Sequence, residues 1–319
     1  MNPQLENETK KLTASWMRHE SDMLRDYLVA DVEDPRTNIQ SILTRHFLIE
    51  SLFGKNFADL MKEELTFAVV LNWMRQLTKE KATEEDFHSI LYALEKRADN
   101  AEGIKIPRYI SEAFRVIPVE TSRALQQRKN SSDAFQILWQ SALADENPKK
   151  ISVLEPACGS ANDYRFFESY GLARLLDYQG VDLCEKNVAN ARAMFPAARF
   201  EVGNVFAIPA PDKAFDYCVV QDLFEHLSLE GMERAVNELC RVTREGICAG
   251  FFSLHEGRDH LVREVDDYHW NTLGLDKMAK LFVNHGFTIQ VIHIETFLRW
   301  KFGCDFTHNR NAYTLLLRK

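Results

Sequence analysis

From residue 151 onward, short apolar runs alternate with amphipathic stretches of roughly ten to fifteen residues. Strand-like runs fall at 152–157, 176–183, 199–203, 215–221, 247–253, 288–295 and 312–317. Between them, helical spacing of apolar positions covers 163–170, 185–194, 231–242 and 275–285. That order predicts a parallel sheet with helices on both faces. The last two runs have no convincing helix between them. They are expected to close the sheet as an antiparallel hairpin, with 297–311 as its long connection. The fold class expected is α/β: a Rossmann-like, doubly wound sheet of seven strands, the last antiparallel.

The first third of the chain has a different texture. Apolar residues recur at helical spacing in 12–29, 37–52 and 57–77, and again around Phe87, Ile90, Leu91 and Leu94. No strand-like alternation interrupts them, and Gly54, Gly103 and Pro107 punctuate them. Residues 123–132 read as a polar linker, and 134–143 as a further helix leading into the sheet. Two units are therefore expected: an all-helical domain over 1–130, serving as a cap, a dimer interface or a partner-binding surface, and a second domain over 131–319.

Composition narrows the class. The chain has 319 residues, 45% hydrophobic and 27% charged, as in an ordinary soluble protein. Its 39 basic and 47 acidic residues give a net charge of −8, which does not point to a nucleic-acid partner. Six cysteines include no C-x-x-C pair and lie mostly in apolar runs, so they are expected to be reduced, in a cytoplasmic protein. The polar opening residues lack a signal core, and no apolar run is long enough to span a bilayer.

The densest chemistry lies in 151–182. I-S-V-L-E-P-A-C-G-S-A ends an apolar run in a turn of small residues and opens a helix; Y-Q-G-V-D-L then ends a second run in an acid. This is the layout of a nucleotide-binding βαβ unit. Small residues let backbone approach a ligand, and Asp182 stands where a ribose-binding acid belongs, about twenty residues on. A purely local role, capping the helix that follows, is the alternative. The strict G-x-G-x-x-G pattern is absent, since only Gly159 is a glycine. A ligand without a pyrophosphate fits better, which favours an adenosyl group. Glu155 can orient the turn or meet a ligand ammonium. Asn204, after Gly203, can pair with an adenine edge or serve a local turn.

With these motifs in order, 151–319 resembles the class I S-adenosylmethionine-dependent methyltransferases, in the broad group acting on small molecules. V-L-E-P-A-C-G-S-A resembles the motif holding the methionine end of the cofactor, G-V-D-L the ribose motif, and F-E-V-G-N-V the adenine motif. A-F-D-Y-C-V-V-Q-D-L-F-E-H-L resembles the fourth strand and its sequel. The resemblance implies S-adenosyl-L-methionine as cofactor, held by Glu155, Ala157, Gly159, Asp182, Leu183, Asn204, Val205 and Gln221. Ala157 and Ala161 stand where the family prefers glycine, and Asn204 where it often has Asp. The N-P-P-Y or D-P-P-Y of adenine-N6 methyltransferases is missing; Gln221-Asp222-Leu223-Phe224 occupies that place.

Methyl transfer from a sulfonium needs alignment and, for a protonated acceptor, a base. The base is expected near the carboxyl ends of the fourth and fifth strands, among Asp222, Glu225, His226 and His255; His226, His255 and Glu225 are the catalytic candidates. Residues 252–271 are expected to cover or line an acceptor pocket. The spacing of His255, Asp259, His260 and His269 fits no metal pattern, so no metal is expected. The acceptor expected is an O- or N-nucleophile of a small organic molecule. Two other readings remain open: a protein or tRNA methyltransferase docking through the helical domain, and an inactive scaffold of the same fold. A homodimer through the helical domain is a further expectation.

Overall fold

The computed structural model describes residues 39–54, 140, 143–265, 268–297 and 310–319. Most of the expected N-terminal helices, the linker and the 297–311 connection lie outside these residues. Within them, seven strands form one mixed sheet: β1 (Ile151–Pro156), β2 (Leu176–Asp182), β3 (Arg199–Val202), β4 (Phe215–Gln221), β5 (Thr243–Phe251), β6 (Thr288–His293) and β7 (Tyr313–Arg318). Their order across the sheet is β6-β7-β5-β4-β1-β2-β3. The first five run parallel, and β7 is inserted antiparallel between β5 and β6. The expected hairpin is the β6–β7 pair, with its second strand lying inside the sheet and its first at the edge.

Helices α1 (Ile39–Phe53), α2 (Asn162–Ser169), α3 (Glu185–Met194), α4 (Leu229–Val242) and α5 (Leu275–Val283) cover the sheet. Alternation along the strands feeds two cores. Val153, Val219 and Cys248 join Phe47, Phe167 and Val188 on the face under α1, α2 and α3. Their neighbours Leu154, Val220 and Ala249 join Val236, Leu239, Met278 and Phe282 under α4 and α5. Strands buried on both faces read as continuous apolar runs, which is why the pattern found them.

β5 begins four residues before the sequence expectation. Thr243 ends α4 with an extended backbone and donates its hydroxyl to Leu239 O at 2.6 Å, so helix passes into strand with no loop. The polar T-R-E-G stretch hid this start. α4 likewise begins two residues early, because the Ser228 hydroxyl accepts the Gly231 N–H at 3.0 Å.

α1 is the part of the N-terminal third that the structure describes, and it packs on the sheet. Gln40 donates to the carbonyls of Phe251 and Tyr313, at 3.1 and 3.2 Å. Phe47 meets Tyr217 edge-on at 5.5 Å, and Arg318 pairs with Glu50 at 3.1 Å. α1 is thus packed against β5 and β7 of the sheet.

Candidate active site at the carboxyl edge of the sheet

Open parallel sheets bind ligands beyond the carboxyl ends of their strands. Here β1 ends in a turn where Ala157, Gly159 and Ala161 all take left-handed backbone, at φ of 59°, 53° and 69°. Glycine adopts that region freely and alanine does so at a cost. A Cβ placed on Gly159 would meet nothing within 4 Å, so space lies open above the turn. Replacing Ala157 by glycine is expected to raise stability by about 0.5–1 kcal/mol, as relief of left-handed strain outweighs the added chain entropy. A urea midpoint that falls would contradict this.

Asp182, at the end of β2, holds the turn in place. Its Oδ2 accepts the Gly159 N–H at 2.9 Å. Its Oδ1 accepts the Cys184 N–H at 2.8 Å and an Asn187 amide N–H at 3.3 Å. Asp182 thus makes a local bond just before α3, whose own N-cap is Cys184 with no side-chain capping bond, together with a bridge from β2 to the small-residue turn. A carboxylate has room for about four such bonds, so one acceptor position is left for a ligand.

Three further acids gather at this edge. Glu155 and Asp163 are buried, as Asp182 is, and Asp222 is the third. Glu155 accepts a short hydrogen bond, 2.6 Å, from the Tyr178 hydroxyl. Burial, then the charge of Asp163, raises the Glu155 pKa well above the usual carboxylate range. Asp163 is pushed up to about 7 by burial and by Asp222, against the opposing pull of Arg45 and a Ser41 hydrogen bond. Asp222 has left-handed backbone, φ 50°, and an exposed surface, yet the protein packed around its carboxyl pushes its pKa up to about 6. Such a set favours a cationic ligand, which would lower the cost of ionising each acid.

The other cofactor candidates are placed as follows. Asn204 Oδ1 accepts the Phe206 N–H at 2.8 Å, a turn of local purpose. Leu183 and Val205 are half-buried beside the ends of β2 and β3. Gln221, at the end of β4, donates to the Thr44 hydroxyl at 2.7 Å, while its Oε1 is buried without a protein partner. Gly250 makes room for it: a Cβ there would lie 1.6 Å from Gln221 Oε1.

The catalytic candidates separate into different roles. Glu225 is fully buried. Its Oε1 accepts the N–H groups of Phe252 and Ser253, at 2.7 and 3.1 Å, and its Oε2 has no protein partner. Burial and Asp222 push it up to about 8, so it is mainly protonated at neutral pH. It fastens the loop after β5 to the turn after β4. His226, in that turn, lies 3.1 Å through Nδ1 from the His269 carbonyl, which fixes Nδ1 as the protonated nitrogen and leaves Nε2 as an acceptor. Burial lowers its pKa. His255 pairs along the backbone with Gly274 in a short ladder, and the rings around His226 do not include it.

Sequence reasoning missed the contribution of α1. Ser41, Thr44 and Arg45 are buried polar residues on the side that carries Leu43, Phe47 and Leu48. Polar residues at i, i+3 and i+4 within an apolar stripe were the available signal. Arg45 lies with its guanidinium 3.7 Å from the centre of the Tyr170 ring. Asn271, fully buried and following Trp270, gave no pattern at all. Among the described residues, no group of three or more His, Cys, Asp or Glu is placed to hold a metal ion, and no helix is long and apolar enough to cross a membrane.

Residues 154–249 match the family model of a methyltransferase domain. A probable S-adenosylmethionine-dependent methyltransferase of Mycolicibacterium smegmatis is 29% identical over 150 residues, 43% of this chain and 52% of that protein. A malonyl-[acyl-carrier protein] O-methyltransferase of Pectobacterium atrosepticum is 27% identical over 110 residues, 34% of this chain and 40% of that protein. The chain thus spans about half, or less, of the curated relatives it matches. Among solved structures, the Burkholderia thailandensis 1,6-didemethyltoxoflavin-N1-methyltransferase, with bound 1,6-didemethyltoxoflavin and S-adenosylhomocysteine, aligns at 15% identity and TM-score 0.42, covering 63% of this chain and 83% of that one. An S-adenosylmethionine-dependent methyltransferase of Methanosarcina mazei aligns at 14% identity and TM-score 0.42, covering 56% and 96%.

Proposed function

We propose that this chain, whose residues 154–249 match a methyltransferase domain, is an S-adenosylmethionine-dependent methyltransferase that moves a methyl group to an O- or N-nucleophile of a small organic molecule. One observation carries the reading. The turn after β1 is pinned by Asp182, open above Gly159, and bordered by the buried carboxyls of Glu155 and Asp163. S-adenosylmethionine bears an ammonium and a sulfonium, and its ribose diol can donate to the position left on Asp182. When bound, it supplies an electrophilic methyl whose bonding electrons return to sulfur.

The protein's own part is to orient the acceptor and take its proton. His226 is the group proposed for that: neutral, with Nε2 unprotonated, in the turn after β4. Glu225 and Asn271 position it through the loop they hold. His255 stands as a weaker candidate, exposed in part and made less basic by burial and by Arg258. The residues before 130 are proposed to include a cap on this edge, since α1 already supplies Ser41 and Thr44 there. A homodimer and a cytoplasmic location remain part of the same proposal.

Replacing His226 by alanine is expected to lower kcat by about 10²–10⁴-fold while leaving cofactor affinity within about twofold. In the wild type, the acid limb of kcat/KM should fall below the ordinary histidine value of about 6.5, because burial disfavours the imidazolium. Full turnover without His226, once an acceptor is in hand, would remove it from the mechanism. The reading as a whole is tested by calorimetry with S-adenosylmethionine and S-adenosylhomocysteine; binding of neither ends it.

A further inference from the structure

The carboxyl edge carries a second construction next to the cofactor turn. Residues 261–265 pair with residues 268–272: Leu261 bridges Thr272, Trp270 N–H donates to Arg263 O at 2.8 Å, and Glu264 and Val265 pair with His269 and Tyr268. Side chains alternate across such a ribbon, so Tyr268 and Trp270 share one face. The ribbon is bolted to the turn after β4. Asn271 N–H donates to Glu225 O at 2.8 Å, and its side-chain amide donates to Leu227 O at 2.6 Å. Its Oδ1 accepts the Arg263 N–H at 3.1 Å, and the His269 carbonyl meets His226 Nδ1. These bonds fix where the ribbon's rings sit relative to His226.

What they fix is a ring of aromatics. The His226 imidazole centre lies 5.4 Å from Phe252, 5.8 Å from Tyr268 and 5.4 Å from Trp270. Phe252 and Trp270 are 5.1 Å apart, and Tyr268 and Trp270 6.2 Å. All fall in the range where aromatic rings attract one another. Phe252 follows β5, and β5 lies beside β4, so the group faces the same edge as the cofactor turn. None of the four is fully buried. Trp270 is 44% exposed and is the one aromatic among the exposed large hydrophobic residues described. Leu261 and Val262, on the same ribbon, are exposed as well. A preformed apolar wall held open to solvent, with a proton acceptor in it, is how a small-molecule subsite is built.

We propose that Phe252, Tyr268 and Trp270, around His226, form the methyl-acceptor subsite, and that it takes a planar, uncharged aromatic ring bearing a hydroxyl. This rests on the methyl-transfer reading above. The rings provide stacking surface, which a flat arene uses and a saturated ring of the same size does not. His226 Nε2 receives the hydroxyl proton as the oxygen gains the methyl carbon, and the proton then passes to solvent. Asp222, exposed at the start of the same turn, disfavours a ring carrying a carboxylate.

The test uses the full chain and three probes: 2-naphthol, its saturated analogue decahydro-2-naphthol, and 2-naphthoate. Binding of each is followed by ligand-observed NMR with saturating S-adenosylhomocysteine. 2-Naphthol is expected to bind at least about tenfold more tightly than the other two. Trp270→Ala should weaken it about tenfold, Trp270→Phe should restore most of the loss, and neither should move the affinity for S-adenosylhomocysteine. Because Trp270 is 44% exposed and lies outside the two cores, the alanine variant is expected to fold, and an unchanged melting temperature verifies it. If S-adenosylhomocysteine binds but 2-naphthol does not, or if Trp270→Ala leaves 2-naphthol binding unchanged, the subsite is wrong and the methyl-transfer reading stands. Equal binding of the saturated ring also overturns it. If S-adenosylhomocysteine itself fails to bind, both fall.

Discussion

Replacing Asp182 by alanine is expected to weaken both S-adenosylmethionine and S-adenosylhomocysteine by at least about 100-fold, with a loss of fold stability of about 2–4 kcal/mol. The two effects have one origin. The carboxylate accepts from Gly159 N–H, Cys184 N–H and the Asn187 amide, and its removal leaves buried donors without partners. Each orphaned donor costs about 1–3 kcal/mol. The turn loses its anchor to β2, so the open space above Gly159 is no longer held in shape. Asp182→Asn should fall between: its carbonyl keeps one side of the bridge, while its NH₂ faces a donor on the other. Calorimetry on variants still folded at the working temperature separates binding from unfolding. An Asp182→Ala protein that binds both nucleosides normally would break the link between this aspartate and the site.

The second large effect concerns pH. Asp163 titrates at about 7 in the folded chain, above its ordinary 3.8. A carboxyl with a raised folded pKa holds a proton that the unfolded chain releases. Its contribution favours folding at low pH and is lost as pH rises from about 4 through about 7. The groups acting on it are Asp222, Arg45 and Ser41. Complete loss is worth on the order of 2–4 kcal/mol. Asp163→Asn keeps a carbonyl for the Ser41 hydroxyl and cannot ionise. It should match the wild type near pH 5 and exceed it by about 2 kcal/mol near pH 8. Urea unfolding at pH 5, 6, 7 and 8 reads this directly. Parallel slopes for the two proteins would show that Asp163 is not responsible. The same substitution should weaken a cationic ligand at pH 8, so stability and binding are expected to move in opposite directions.

Much of the sheet was legible because its strands are buried on both faces. The run 215–221 needed no correction, since Phe215, Cys218, Val219 and Val220 are all covered. Boundaries failed where polar residues begin an element, as at Thr243 and Leu229, because capping bonds and not hydropathy set those points. Within the site, position was readable and role was not. Asp182, Gly159 and Glu155 stand at the expected edge, yet only the structure shows that Asp182 spends three of its acceptor positions on the protein itself. Glu225 and His226 are neighbours in sequence and differ in setting, one fully buried and bonded to the loop after β5, the other partly exposed among aromatic rings. Period and composition carry no information on which of two adjacent polar residues turns inward.

Gln40 donates to both Phe251 and Tyr313, so an early helix and the strand starting at Tyr313 meet through a single amide. During synthesis, α1 leaves the ribosome some 270 residues before one of its two acceptors exists. Until that strand inserts between β5 and β6, the helix has only part of its seat, and β5 keeps an unfinished edge. Assembly of this fold is therefore a late, long-range event, closed by a segment far in sequence from the turn after β1.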